Sequence, residues 1–263
     1  MSSRRLAVCF AHPDDETYAT FGSVALHAGE PGFRLSVLHA TDGGAGEIAP
    51  GVEVRPEELG SLRRLEDEQG WAAVGHAPDR HQWLDLPDGR VRQAPQAELV
   101  GRIAAFLDEE RPDVVVTFGP DGVTGHPDHI AMSTATGEAF HAVRRRGGRG
   151  LRRLLHAAIP QSTFERHQAL RRSMGLPAWD PTRLYHLRGT PDVQIGVEVR
   201  TRAVADRVFE GLSAHRSQHH VLMPAQLSDD AFIRSLTRET HVVVWPPRPL
   251  GAARLRDLFE GLT

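Results

Sequence analysis

Residues 6–16 read LAVCFAHPDDE, an apolar run that ends in an acidic turn containing a proline. The run Leu6–Ala11 has the length and the continuous apolar character of a buried strand in a parallel sheet. One histidine and three acids then fall within residues 12–16. So much charge at the mouth of an apolar strand destabilises a fold unless a cation neutralises it. The stretch therefore predicts a parallel sheet with a cation site at its edge.

The same alternation of apolar strand and helix continues along the first 120 residues. Further strands are predicted at Leu35–Thr41, Trp83–Leu86 and Val114–Phe118, and helices at Thr20–Gly29, Pro56–Val74 and Ala97–Glu110. Strands that alternate with helices favour an α/β fold. We therefore expect a Rossmann-like, mostly parallel sheet with helices on both faces.

The last third of the chain has a less regular pattern. Strands are predicted at Leu154–Ile159, Val193–Val199 and Val242–Trp245, and helices at Thr201–His215 and Ala252–Leu262. Neither an internal repeat nor a clear linker separates this part from the rest. We therefore expect residues 1–263 to form a single domain, with 150–263 as a C-terminal α/β extension on the same core.

Composition excludes several classes of function. The formal charge of −3 argues against nucleic-acid binding, which usually needs a basic excess. All 31 basic residues are arginine, so a lysine Schiff base and a Walker-type lysine are excluded. The single cysteine, Cys9, excludes an intramolecular disulfide and a multi-cysteine metal site. It also fits a reducing compartment.

No apolar run reaches the roughly 18 residues that a membrane-spanning helix needs. The N-terminal residues lead directly into the first predicted strand and lack the apolar core of a signal peptide. We therefore expect a cytoplasmic protein without a membrane span. The oligomeric state stays open, a homo-oligomer included.

A second cluster, HPDH at residues 126–129, lies in the loop that we expect after the strand Val114–Phe118. Each cluster thus follows the carboxyl end of a predicted parallel strand. In open α/β sheets ligands bind at that edge. The two clusters are therefore predicted to meet in one site.

The residue types in these clusters point to metal-assisted hydrolysis. His12, Asp15 and His129 form a nitrogen and oxygen ligand set that suits Zn²⁺ and leaves one position open, with Fe²⁺ as the alternative ion. Asp14 is the candidate general base, and His126 the candidate electrostatic partner or acid for the substrate carbonyl. Asp128 is the candidate carboxylate that orients a neighbouring histidine.

The pair of motifs resembles that of the LmbE-like, or PIG-L-like, zinc N-deacetylases, which act on N-acetylglucosaminyl groups. The resemblance covers residues 5 to about 135. It includes TDGGAGE at 41–47, RRLE at 63–66, LPDG at 86–89 and PDVVVT at 112–117, with AHRSQ at 214–218 as a further match.

The resemblance implies the same roles for these residues. His12, Asp15 and His129 would bind zinc, Asp14 would act as the base, and His126 would stabilise the oxyanion. The resemblance also implies that Glu47, Arg63 and Asp88 line a sugar pocket. Members of the mycothiol pathway carry a tyrosine two residues before His126, where this chain has Thr124. The resemblance therefore implies the general activity and leaves the pathway open.

Several of these residues also have ordinary structural interpretations. Arg63 and Glu66 stand three apart on a predicted helix and could pair on its surface. His215 could enter the pocket or simply end a helix. We expect the histidines outside the motifs to be surface or loop residues, at 76, 81, 141, 156, 167, 186, 219, 220 and 241.

The leading hypothesis is a zinc-dependent hydrolase that removes an N-acetyl, or another N-acyl, group from an N-acetylglucosaminyl-type amino sugar or glycoside. One alternative keeps the metal site but acts as an amidase of thiol-sugar conjugates. A third hypothesis, from another class, is a non-catalytic sugar- or nucleotide-binding module. The complete set of ligands and base favours an enzyme over that module.

Overall fold

A computed structural model describes residues 4–223 and 226–262. Its seven strands are β1 Arg4–Phe10, β2 Phe33–His39, β3 Arg80–Trp83, β4 Val114–Phe118, β5 Arg153–Ala157, β6 Ile195–Arg200 and β7 Arg238–Trp245. They form one sheet in the order β3-β2-β1-β4-β5-β7-β6. The first five strands in this order are parallel, whereas β7 pairs antiparallel with both β5 and β6.

The helices are α1 Thr17–His27, α2 Leu59–Ala73, α3 Gln96–Glu110, α4 Pro127–Arg145, α5 Gln161–Ser173, α6 Ala205–Ala214, α7 His219–Leu222 and α8 Asp229–Ile233. Helices α1 and α2 both pack on α6, while α3 packs on α4. Right-handed crossovers place these two groups on opposite faces of the sheet, because the strand order reverses between β3 and β4. The predicted mostly parallel α/β fold is confirmed.

The core lies on both faces of the central strands. All five residues of β4 are buried, as are the last five of β1. Such continuous burial explains why these strands read as unbroken apolar runs and not as alternating ones. The last third of the chain joins this core because β5, β6 and β7 extend the same sheet.

Three predictions about strands, helices and loops were wrong. The third strand is Arg80–Trp83, earlier than the predicted Trp83–Leu86, because β2 pairs with Arg80 to Trp83. The segment predicted as a helix at Ala252–Leu262 consists of turns and one bridge between Leu255 and Val197. The second cluster is only partly in a loop, since α4 begins at Pro127.

Helix α5 carries no clear sequence signal and was not predicted. Pro160 precedes it, and Phe164 is its only buried residue. With one buried residue among its 13, the helix presents few apolar side chains that could mark a core-facing side in the sequence. His81, His156 and His241 were expected on the surface or in loops, but they lie in β3, β5 and β7 and none is exposed. His241 is fully buried, with its ring 2.9 Å from the Ala19 carbonyl.

Candidate active site at the carboxyl edge of the sheet

The first cluster occupies the turn between β1 and α1. The backbone amide of Asp15 bonds the His12 carbonyl at 3.3 Å, and that of Thr17 bonds the Asp14 carbonyl at 3.1 Å. Asp14 has a backbone φ of 105°, a conformation that residues other than glycine rarely adopt. This turn brings four polar residues to the edge of the sheet: His12, Asp14, Asp15 and Glu16. Strain at such a position is typical of functional turns.

The second cluster begins α4. His126 precedes the first turn, and its Nδ1 accepts a hydrogen bond from the Asp128 amide at 3.1 Å. The ring nitrogen Nε2 of a neutral His126 therefore carries the proton. Burial, together with His129 and His12, lowers the pKa of His126 to about 4. His126 is thus a neutral hydrogen-bond donor at neutral pH.

Because β1 and β4 are parallel neighbours, the two clusters meet. His12 Nδ1 lies 3.1 Å from one Asp15 oxygen, and His129 Nε2 lies 3.1 Å from the other. The two histidine nitrogens are 3.3 Å apart. Tetrahedral zinc with bonds of about 2.0 Å needs ligand atoms about 3.3 Å apart. The two histidine nitrogens have this spacing, and each has a different Asp15 oxygen within 3.1 Å, so the three predicted ligands converge at distances that suit a tetrahedral ion.

The remaining ring nitrogens fix how the two histidines are oriented. His129 Nδ1 lies 3.0 Å from the Gly122 carbonyl, and the His129 ring stacks on Phe118 with centroids 4.0 Å apart. His12 Nε2 faces Asp88 Oδ1 at 3.0 Å and Asp128 Oδ2 at 3.6 Å. Carboxylates in these positions commonly orient a metal-binding histidine.

His126 is also close enough to count as a ligand on distance alone. His12, His126 and His129 offer three ring nitrogens within 4.8 Å of one another. However, the Asp128 amide occupies Nδ1 of His126. The Asp15 set has shorter contacts and includes an anionic ligand, so it fits a divalent ion better.

Asp14 lies beside the ligands but is bound elsewhere. Its Oδ2 accepts a hydrogen bond from Arg63 Nη2 at 2.9 Å. Burial raises the pKa of Asp14 to about 6, and the Arg63 charge opposes that rise. The carboxyl group is thus held in one orientation by a buried cation.

Arg63 is buried, and both of its terminal nitrogens donate to groups inside the protein, whereas its Nε has no partner among the described residues. Besides Asp14, it donates to the Pro13 carbonyl at 2.6 Å and to the Gly43 carbonyl at 2.8 Å. It does not pair with Glu66, which instead accepts hydrogen bonds from the Ser217 amide at 2.8 Å and hydroxyl at 2.6 Å. The surface pair considered for these two residues is therefore absent.

Glu47 and Asp88 occupy different depths of the site. The Glu47 side chain is 92% exposed at the rim, with one oxygen 3.9 Å from His220. Asp88 lies against His12 and accepts a hydrogen bond from the Ala45 amide at 2.9 Å. Its pKa falls to about 2, because His12 and the Ala45 amide outweigh burial. Of the three predicted sugar-binding residues, only Glu47 has its side chain open to solvent.

The AHRSQ segment brings the last third of the chain to the site. Gln218 donates to the Glu47 carbonyl at 3.0 Å, and the Ser217 carbonyl accepts from the Ala49 amide at 2.8 Å. His215 ends α6 and is fully buried between Gly70 and Phe21, away from the rim. The segment therefore supports the loop that carries Glu47.

Sequence reasoning missed a buried polar layer next to the first cluster. Glu16 lies 3.0 Å from His39, whose other nitrogen lies 3.0 Å from His81. Asp67 lies 3.6 Å from His81 and is fully buried. Burial raises the pKa of Glu16 and of Asp67 well above the ordinary value. The available signal was positional: His39 ends β2, at the same edge as the motifs.

Two more residues border the second cluster and carried no sequence signal. The ring of Tyr185 lies 5.4 Å from that of His126, centroid to centroid. The Arg188 amide donates to the Val123 carbonyl at 2.9 Å. Both residues come from the segment after α5.

No helix among residues 4–223 and 226–262 is long and apolar enough to span a membrane.

Residues 7–140 match the family model described as "PIG-L: GlcNAc-PI de-N-acetylase". The 1D-myo-inositol 2-acetamido-2-deoxy-alpha-D-glucopyranoside deacetylase of Rhodococcus jostii (strain RHA1) is 31% identical, with 100% of this chain and 99% of that protein covered.

Solved structures share the fold at lower identity. The 4-carboxy-2-hydroxymuconate hydratase of Pseudomonas putida KT2440 is 15% identical with a TM-score of 0.63, covering 96% of this chain and 100% of the other. The N,N'-diacetylchitobiose deacetylase of Pyrococcus horikoshii is 18% identical with a TM-score of 0.59, covering 91% and 83%. At these identities the likeness shows the fold alone. The family match and the full-length relative together establish that this chain belongs to the PIG-L family of de-N-acetylases.

Proposed function

We propose that this chain is a metal-dependent hydrolase that removes the acetyl group from an N-acetylglucosaminyl glycoside. The observation that carries the proposal is the convergence of His12, Asp15 and His129: the two histidine nitrogens are 3.3 Å apart, and each lies 3.1 Å from a different Asp15 oxygen. Asp14 and His126 flank these three residues. The relative from Rhodococcus jostii is named for the removal of an acetyl group from such a glycoside.

The three ligands would hold a divalent ion, with zinc as the first choice and Fe²⁺ as the alternative. Such an ion polarises the amide carbonyl and makes water more acidic when it is bound. Asp128 and Asp88 would keep His12 in its ligating orientation, because both carboxylates face its second nitrogen. Gly122 and Phe118 do the same for His129.

The protein's own residues then move the proton and stabilise the charge. Asp14 accepts a proton from the attacking water as the bond between water oxygen and amide carbon forms. His126 donates from Nε2 to the oxyanion that develops on the carbonyl. As the carbon–nitrogen bond breaks, Asp14 returns the proton to the leaving amine. The products are acetate and the free amino sugar.

Arg63 has a supporting role in this scheme. It holds the Asp14 carboxylate while two backbone carbonyls hold the guanidinium. We therefore assign Arg63 to positioning the base, and Asp88 to positioning His12. Glu47 is the one of the three predicted sugar-binding residues that we keep for direct contact with the substrate.

We also propose that residues 150–263 belong to the same domain as the site, because β5, β6 and β7 complete its sheet. A cytoplasmic location stays our prediction, in keeping with the single free cysteine, Cys9.

The test is acetate release across N-acetylated sugars, with metal content measured on the same sample. The panel contains methyl N-acetylglucosaminide, free N-acetylglucosamine, a thiol conjugate of N-acetylglucosamine, and N-acetylbutylamine without a sugar. Turnover of the glycoside, but not of the simple amide, supports the proposal. Preferential cleavage of an amide in the thiol portion would favour the amidase, and binding without turnover by metal-loaded protein would favour a binding module.

A further inference from the structure

The segment from α5 to Arg188 has a charge opposite to that of the whole chain. Residues 161–188 contain five arginines and two acidic residues, a formal charge of +3 in a chain of −3. The segment reaches the second cluster through Arg188, whose amide bonds the Val123 carbonyl at 2.9 Å. A cationic element thus borders the proposed active site.

Arg188 is the arginine of this segment that packs on Gly125, the residue before His126. A β-carbon built on Gly125 would lie 2.2 Å from Arg188 Nη2, so the guanidinium packs where only glycine leaves room. Gly125 directly precedes His126. The absence of a side chain therefore lets the cation lie within one residue of the proposed oxyanion donor.

The guanidinium of Arg188 is poorly satisfied by the protein. Its side chain makes one long hydrogen bond, from Nη1 to the Asp121 carbonyl at 3.5 Å, and its buried Nε has no partner. Within residues 4–223 and 226–262, no carboxylate lies within 4.0 Å of it. By contrast, the buried Arg63 holds Asp14 and two carbonyls. A guanidinium with free donors matches the oxygens of a phosphate or a carboxylate.

Tyr185 supplies an exposed ring next to this cation. It is 69% exposed although its ring lies 5.4 Å from that of His126. Its backbone φ of 61° lies in the left-handed region, which costs free energy for a tyrosine. An exposed aromatic face beside the reaction site suits packing against a substrate ring.

We propose that Tyr185 and Arg188 form a subsite beside His126 for an anionic group, a phosphate or carboxylate, on the portion of the substrate outside the acetamido sugar. The subsite rests on the proposed deacetylase function. The oxygens of the anionic group accept hydrogen bonds from the Arg188 guanidinium. Tyr185 packs against the substrate ring.

Three substrates test the subsite: methyl N-acetylglucosaminide, N-acetylglucosamine 1-phosphate and carboxymethyl N-acetylglucosaminide. We expect the metal-loaded wild type to have at least about tenfold higher kcat/KM for one or both anionic substrates, as a charge-assisted bond implies. Arg188→Ala should lose this preference through KM and leave the neutral substrate unchanged. A gain with phosphate alone identifies a phosphate subsite, and a gain with carboxylate alone identifies a carboxylate subsite.

Arg172→Ala is the matched control, because Arg172 is an exposed arginine of the same segment. It should behave as wild type on all three substrates. Arg188→Gln keeps most of the side-chain volume and should lose the same preference, which guards against a folding defect in the alanine variant. An equal loss on neutral and anionic substrates, or a wild type without preference, overturns the proposal.

Calorimetric binding of three product analogues, glucosamine 1-phosphate, carboxymethyl glucosaminide and methyl glucosaminide, separates the two hypotheses. Tighter binding of either anionic analogue that depends on Arg188, without turnover of any acetylated substrate, keeps the subsite and rejects the deacetylase. Turnover with equal binding of all three analogues, unchanged in Arg188→Ala, rejects the subsite and keeps the deacetylase.

Discussion

Arg63 Nη2 donates to Asp14 Oδ2 at 2.9 Å, and both side chains are nearly inaccessible to solvent. A buried carboxylate next to the two histidines proposed as metal ligands needs a fixed orientation to act on one face of a substrate. Arg63 provides it, because two backbone carbonyls hold its guanidinium in place. The pair therefore links helix α2 to the proposed catalytic turn.

Replacement of Arg63 by glutamine should lower both stability and activity. It leaves Asp14 as a buried charge without a cation, which typically costs about 3–5 kcal/mol in the free energy of unfolding. We also expect kcat to fall at least about tenfold with metal content retained, since the base loses its orientation. Denaturant unfolding and acetate release measure the two effects.

The neighbouring Arg64→Ala is the control for that experiment. Arg64 pairs with Asp85 at the surface and packs over Trp83. Surface ion pairs contribute about 1 kcal/mol or less, so Arg64→Ala should have near-normal stability and turnover. Equal effects of the two substitutions would remove Arg63 from its positioning role.

Gly43→Ala tests the same arrangement from the opposite side. A β-carbon on Gly43 would lie 2.2 Å from Arg63 Nη1, and the φ of 69° is unfavourable for alanine. Gly51 shares the positive φ but has open space around it. We expect Gly43→Ala to lose activity and more stability than Gly51→Ala, which suffers only the backbone strain of about 1 kcal/mol. Matching losses of stability in both, with full activity, would contradict the packing argument.

His126 should act on the transition state. Its Nε2 carries the proton in the neutral ring, because Nδ1 accepts from the Asp128 amide. Loss of one oxyanion donor costs about 3 kcal/mol, so His126→Ala should lower kcat roughly a hundredfold and leave KM nearly unchanged. Steady-state kinetics with metal-loaded protein decide the point. A kcat near that of the wild type would exclude His126 from the mechanism.

His27 should make the stability depend on pH. Burial alone would lower its pKa, but Asp257 at 2.8 Å and Glu30 at 3.0 Å outweigh burial and raise the pKa above 6.5. The stabilisation is therefore fully present below pH 6.5, the unfolded value, and is lost as the pH rises through the folded pKa.

His27→Gln should remove that contribution, about 1 kcal/mol for two partly exposed carboxylate partners. Urea unfolding at about pH 5.5 and pH 8.5 spans the window on both sides of an ordinary histidine pKa. The wild type should lose more stability between the two than the variant does. His219→Gln, a change at an exposed histidine, should show the same pH dependence as the wild type. An identical change in the free energy of unfolding between the two pH values in all three proteins would disprove the role of His27.

The two motifs allowed the family and the meeting of six site residues to be predicted, and the alternation of apolar strands with helices predicted the parallel sheet. Strands such as β4 were found because burial on both faces leaves an unbroken apolar run. Helix α5 was not predicted because it buries a single residue. The segment at 252–262 was wrongly predicted as a helix, because the spacing of its apolar residues does not reveal that Leu255 forms a β-bridge with Val197.

Residue roles that depend on tertiary contacts could not be predicted from the sequence. The RRLE motif shows neither that Arg63 lies buried on Asp14 nor that Glu66 holds Ser217, which is 151 positions away in the chain. Tyr185 and Arg188 have no motif and reach His126 only through the path of the chain after α5. Contacts between distant segments, and not local patterns, assign these residues.

Metal content and acetate release measured together in Asp14→Asn and Asp15→Asn test the central claim most directly. Asp14→Asn should retain about one divalent ion per chain and lose roughly a hundredfold or more in kcat on methyl N-acetylglucosaminide. The amide cannot accept the proton, although its oxygen can still accept the hydrogen bond from Arg63. Asp15→Asn should lose most of the ion, because the only anionic member of the proposed ligand set is gone. An Asp14→Asn protein that loses the ion while Asp15→Asn keeps it, or one that keeps full activity, would contradict the account.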